Sequence, residues 1–178
     1  FDQYLHLMFE TEYISCTTQE NRVKEITVRT KCEDYQIVAD YFIDATGDAE
    51  LSMLAGVPFR LGRDQDQLCQ PMTLCFRMGG VDKEQYKKNR GKINPLYEQF
   101  QREGKIKNIR ENVLIFDNLN EGVLHFNTTR VVKKDPTNPF DVTEAEIDAR
   151  EQVFEMHKFL KENIPGFENC RVLSTAIQ

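Results

Sequence analysis

An apolar run that ends on a glycine turn limits this chain more than any other feature. Tyr41-Phe42-Ile43-Asp44-Ala45 follows Asp40 and leads into Thr46-Gly47-Asp48. Tyr41, Phe42, Ile43 and Ala45 suit a buried strand, and Gly47 removes the side chain where backbone has to approach a ligand or a neighbouring turn closely. Asp48 is placed to cap the helix that follows, Ala49-Glu50-Leu51-Ser52-Met53-Leu54-Ala55, which Gly56 and Pro58 stop. A strand, a glycine turn and a short helix aim backbone N–H groups at the turn, the arrangement that holds nucleotide phosphates in α/β folds. The same three elements also occur in proteins that bind nothing there, so the motif alone leaves both readings open.

The residues on either side predict an α+β chain. Ahead of the turn, strands are expected over 7–16, 23–30 and 35–45, reversing at Gln19-Glu20-Asn21 and at Cys32-Glu33-Asp34, which makes a three-stranded β-meander. Beyond Pro58, Met72, Leu74, Phe76 and Met78 alternate with Thr73, Cys75, Arg77 and Gly79, the pattern of a strand with one apolar face. Asp82 is expected to cap a helix that ends near Arg90, and Asn94-Pro95 to start a second one that ends near Gly104. Val113-Leu114-Ile115-Phe116 and Val123-Leu124-His125-Phe126 flank Asn118 to Gly122 as a hairpin. Residues 133–142 read as a loop. Thr143-Glu144-Ala145-Glu146 reads as a capping box with Val142 and Ile147 as a staple. The helix it opens is expected to carry Ile147, Phe154, His157 and Leu160 on one stripe and to end before Pro165-Gly166.

The stretch Phe42-Ile43-Asp44-Ala45-Thr46-Gly47-Asp48-Ala49-Glu50-Leu51, continued by Leu54-Ala55-Gly56-Val57-Pro58-Phe59, resembles the FAD-dependent oxidoreductase family of the glutathione-reductase-like superfamily. The resemblance runs on through Gln70-Pro71-Met72-Thr73-Leu74, Phe76 to Asp82, Phe126-Asn127-Thr128-Thr129-Arg130-Val131 and Pro165-Gly166-Phe167. It implies FAD as cofactor and hydride transfer as the reaction. It also implies that 1–60 is part of a Rossmann-like FAD-binding domain, with the meander and the turn, and that 61–178 is part of a substrate domain with a mixed antiparallel sheet and helices. Ala45, Thr46, Gly47 and Asp48 are then the cofactor-binding residues, and Gln70, Arg77 and Arg130 lie on the substrate side, all three on strands of that domain. No catalytic residue is assigned. Such a family also carries a Gly-x-Gly-x-x-Gly turn for the FAD pyrophosphate, and the nine glycines here form no such pattern. The chain begins Phe1-Asp2-Gln3-Tyr4-Leu5, without an initiator methionine or signal peptide, and stops at Ile177-Gln178, where the family continues. The expectation is an internal fragment that alone does not retain FAD and whose partners are the rest of its own polypeptide and a small-molecule substrate.

Composition narrows the alternatives. No apolar run in the 178 residues approaches the roughly 20 needed to span a bilayer, so no membrane partner is expected, and the compartment is read as cytoplasmic. A formal charge of -6 argues against nucleic acid, and the lysines and arginines between Lys83 and Arg110 lack the aromatic interleaving of a single-strand platform. The five cysteines have no C-x-x-C pair and no histidine at zinc spacing, so free thiols are expected and no metal is assigned. His6, His125 and His157 stand apart from any nucleophile motif and read as core or surface residues. Asn127-Thr128-Thr129 matches a glycosylation acceptor, a match too common to carry weight. The competing reading is a non-catalytic β-rich binding or carbohydrate-associated module, which leaves the Ala45 to Asp48 turn without a purpose.

Overall fold

Glu20 and Asn21 both take left-handed backbone angles, with φ of 51° and 58°, the signature of a two-residue hairpin turn whose twist matches the strands it joins. It links β1 (Glu12–Gln19) to β2 (Arg22–Arg29), and β3 (Asp34–Val38) completes an antiparallel sheet in the order β1-β2-β3. The second reversal is held by Arg29, whose Nε and Nη2 donate to the two oxygens of Asp34 at 2.8 and 2.9 Å. Thr30 closes it by accepting from the Glu33 amide and donating to the Glu33 carbonyl. This meander is one of two compact units, Phe1–Arg60 and Leu61–Gln178, into which the chain divides. The structure, a computed structural model, describes residues 4–176, so the readings placed on Phe1, Asp2, Gln3, Ile177 and Gln178 lie outside the described residues.

Two expected strands differ from those observed. β1 starts at Glu12 rather than at residue 7, and β3 stops at Val38 rather than running to Ala45. Residues 41–46 belong to no ladder, and Tyr41 and Ile43 are each 90% exposed. Apolar alternation expresses a preference for a sheet, but a strand exists only where a neighbour completes its hydrogen bonds. None of the described strands pairs with this segment. The following helix, α1 (Glu50–Leu54), is also shorter than its apolar pattern suggests.

The second unit holds β4 (Phe76–Gly79), α2 (Lys83–Arg102), β5 (Ile115–Asp117), β6 (Leu124–Phe126), α3 (Pro139–Asn163) and β7 (Arg171–Thr175). Its four strands are antiparallel neighbours in the order β5-β6-β4-β7. The inner face of this sheet carries Phe76, Met78, Leu124 and Phe126, all buried, with Leu74 just before the ladder. Phe76 and Phe126 stack at 4.8 Å with rings 6° apart, and the edge of Phe167 closes on Phe126. The alternation from Met72 to Met78 is thus seen as expected, although only its last residues join the ladder. Each such side chain contributes roughly 1.5–3 kcal/mol through burial. The architecture is α+β.

Helix limits follow competing signals. Asp82 caps α2 as expected, its carboxylate accepting from the amides of Glu84 and Gln85. Yet α2 is a single helix that runs through Pro95, and Asn94 does not cap anything; its side chain accepts from the Val113 amide. Pro95 leaves the Gly91 carbonyl without a donor, a cost that is lower because Gly91 is exposed and water can reach it. Burial of Tyr86, Asn89, Ile93 and Tyr97 on one continuous stripe holds the helix together. α3 begins four residues ahead of the expected capping box, because Asn138 caps it by accepting from the Phe140 amide and Pro139 fills the first turn. Thr143 is therefore internal and donates to the Pro139 carbonyl. The buried stripe of α3 runs through Ala145, Ala149, Gln152, Val153, Met156 and Leu160, while Ile147 and Phe154 are exposed. No described helix is long and apolar enough to cross a membrane.

Candidate functional site

Asp44 organises the turn that the sequence singles out. Its Oδ1 accepts from the Thr46 amide at 3.1 Å and the Thr46 hydroxyl at 2.7 Å, and its Oδ2 accepts from the Ser52 amide at 2.8 Å and the Ser52 hydroxyl at 2.7 Å. The Ser52 hydroxyl, followed by that of Thr46, holds the Asp44 carboxyl well below the usual carboxylate range. Thr46 Oγ1 in turn accepts from the Glu50 amide at 2.9 Å, so Asp44 and Thr46 together satisfy amides of the first turn of α1. Asp48 does not cap this helix as expected. The residue before the helix is Ala49, in left-handed geometry with φ 57° and ψ 40°, and no side chain caps it. An alanine held there costs about 1–2 kcal/mol. The Asp44-x-Thr46 spacing of a side chain bonding two residues on was the available sequence signal for this role.

The turn this creates is open. Ala45, Thr46, Gly47 and Asp48 are all exposed, and the amides of Gly47, Asp48 and Ala49 make no hydrogen bond within the described residues. A Cβ added at Gly47 would meet nothing within 4 Å, and the Gly47 backbone is not left-handed. Nothing in the described chain therefore demands glycine at this position.

A second cluster forms on the outer face of the four-stranded sheet. Arg77 pairs with His125 on β6 and with Ser174 on β7, and His125 pairs with Phe116 on β5. Because neighbours Phe76, Phe126 and Ile115 point into the core, Phe116, His125, Arg77 and Ser174 make one outward row across the sheet. The Phe116 and His125 rings lie 6.1 Å apart. Arg77, His125, Ser174, Cys75 and Thr175 line a concavity of about 210 Å³. Among the described residues, the side chains of Arg77, His125 and Ser174 form no hydrogen bond or ion pair.

The three substrate-side candidates do not converge. Gln70 is not on a strand, the ladder starting only at Phe76, and it lies in a shallow hollow with Gly62, Arg63 and Leu68. Arg130 is not on a strand: it precedes the isolated Val131 bridge to Met72, its amide donates to Gln152 at 2.8 Å, and Gln152 donates back to its carbonyl at 3.0 Å. Its guanidinium pairs with Glu111 beside a 280 Å³ cavity that Lys107, Glu151 and Glu155 also line. Of the three, Arg77 alone is in register with a histidine and a serine, and the sequence did not single those out. Leu124 and Phe126 signal that His125 points outward, but its meeting with Arg77 depends on strand pairing between distant segments.

A family model described as FAD dependent oxidoreductase matches residues 2–178. No curated protein and no solved structure gives a match.

Proposed function

Because the chain belongs to the FAD-dependent oxidoreductase family, and its cofactor is accordingly FAD, we propose that it serves an enzyme that transfers hydride between a small-molecule substrate and that cofactor. The observation that carries this reading is the turn at Ala45, Thr46, Gly47 and Asp48. It is held rigid from within by Asp44, while its exposed face keeps three amide donors free and a glycine with open space beside it. A rigid turn with unused donors fits the flank of a nucleotide cofactor, and these four residues would hold FAD there. Bound FAD supplies a two-electron acceptor or donor for hydride, which no side chain provides.

The protein's share of the work is binding and orientation. Residues 1–60 are read as the cofactor side and 61–178 as the substrate side, where Arg77 is positioned by the middle of a sheet and Gln70 and Arg130 lie on flanking surfaces. Arg130, tied to Glu111 and Gln152, acts in this reading by holding the end of the Met72 bridge against α3. The remainder of the polypeptide supplies the pyrophosphate turn that no glycine pattern here provides, and neighbours for the apolar segment 41–45 that has no strand beside it. Neither nucleic acid nor a membrane is a partner in this reading.

The test is flavin content of the protein expressed from its whole reading frame, wild type beside Gly47→Val. Flavin absorbance is expected in the wild type and a clear loss in the variant at unchanged folding. A wild-type protein that takes up no FAD would overturn the reading, and equal flavin in both proteins would remove the turn from the site.

A further inference from the structure

We propose that the outward row Phe116, His125, Arg77 and Ser174 is a receptor for a small monocarboxylate carried on an apolar body; this rests on reading 61–178 as the substrate side. The argument begins with charge. Several cations of this unit have acids against them: Arg63 has Asp66, Lys83 has Asp117, Arg130 has Glu111, Lys134 has Glu144 and Arg150 has Glu146. Arg77 has none, and unlike other such cations, Lys88 on α2 or Arg171 on the edge strand β7, it stands on β4, between two other strands of the sheet.

Its neighbours sharpen the chemistry. A guanidinium is a fork of N–H donors with no acceptor, and it matches a carboxylate in two parallel bonds. His125 on one side and Ser174 on the other each bring a donor that no protein atom uses. No acid stands in the row to compete, so the group that completes all three is an acceptor-only oxyanion. One cation balances one negative charge. The concavity of about 210 Å³ has room for a carboxylate and a few carbons. Beyond the concavity, at the far end of the row, the half-exposed Phe116 ring leans towards His125 and offers an apolar surface. Phe116 and Arg77 are two strands apart, about 10 Å at the usual strand spacing, so the ligand carries its apolar group within that distance of its carboxylate. A β-sheet fixes this spacing better than loops do.

The experiment is an NMR titration of the chain with 3-phenylpropanoate, with its neutral amide 3-phenylpropanamide, and with inorganic phosphate. The carboxylate is expected to shift signals of Arg77, His125, Ser174 and Phe116 together and to bind at least tenfold more tightly than the amide. Arg77→Gln is expected to weaken it at least tenfold, Arg77→Lys by less, and Phe116→Ala several-fold, each with an amide spectrum that shows the wild-type fold. Absence of binding, equal binding of the amide, phosphate binding as tight as that of the carboxylate, or an affinity indifferent to Arg77→Gln would each overturn the proposal. Flavin content of the whole protein is a separate readout: loss of carboxylate binding with flavin retained refutes the substrate class alone, whereas a flavin-free whole protein refutes the oxidoreductase reading and leaves the receptor standing.

Discussion

Replacing Phe126 by leucine should separate the two faces of the four-stranded sheet. Phe126 is fully buried, stacked on Phe76 at 4.8 Å and met edge-on by Phe167 at 6.4 Å. Losing two aromatic pairs removes roughly 1–3 kcal/mol beyond area burial. The void left by the smaller side chain adds about 1 kcal/mol at the usual cost of roughly 24 cal/mol per Å³. A loss of about 2–4 kcal/mol is therefore expected, somewhat below the range for phenylalanine to alanine. The control is Phe116→Leu, which deletes the same atoms from the outward row, where the ring is half exposed, and should stay within about 0.5 kcal/mol. Guanidinium unfolding followed by circular dichroism gives the difference, and hydrogen exchange at the β4 and β6 amides assigns it to this unit rather than to the meander. Because a strand slipped by one residue would exchange the two faces, variants that agree within about 1 kcal/mol would refute the register and with it the outward row.

Asp44 makes the stability of its turn depend on acid. Its folded carboxyl titrates below the unfolded value of about 3.9, so its contribution is complete above that value and is lost as pH falls through it towards the folded one. Protection of the Thr46 and Ser52 amides, relative to their intrinsic exchange rates, should fall over that window in the wild type and be flat in Asp44→Asn; identical profiles would remove Asp44 as the organiser. Gly166→Ala should cost roughly 2–5 kcal/mol, because φ is 101° and the new Cβ would lie 2.8 Å from both the Asp82 carbonyl and the Tyr86 amide; a melt unchanged by the substitution contradicts that geometry. Asn138→Ala should destabilise α3 by about 0.5–2 kcal/mol through loss of its cap, measured by urea unfolding, while Thr143→Ala should do less than a cap loss would if the helix begins at Pro139.

Local chemistry was readable where one signal stood alone. Asp82 ahead of α2, the reversal at Glu20-Asn21 and the alternation from Leu74 to Met78 all appear where expected. It misled where two signals competed. Asn94-Pro95 has the form of a helix start, but a buried stripe from Tyr86 to Tyr97 outweighs one missing hydrogen bond. Thr143-Glu144-Ala145-Glu146 has the form of a capping box, but Asn138-Pro139 offers an earlier start that also buries Ala145 and Ala149. Segment 41–45 has strand composition, and composition cannot supply the neighbouring strand that a ladder requires.

The difference between Arg77 and Arg130 shows why the site itself was less legible than the fold. Both are arginines close to apolar alternation, and from the sequence both belong to the substrate side. A side chain's availability, however, depends on what the rest of the fold puts beside it. Glu111 reaches Arg130 from 19 residues upstream, and Gln152 fastens its backbone from 22 residues downstream. Arg77 receives His125 and Ser174 instead, from two strands distant in sequence, and neither can neutralise its charge. A cation that the fold leaves unpaired on a rigid sheet retains its full capacity for an anion from outside, whereas a paired one must first lose a partner. That physical distinction, invisible until the pairing of β6 and β7 with β4 is known, is why the proposed carboxylate receptor centres on Arg77 rather than on Arg130.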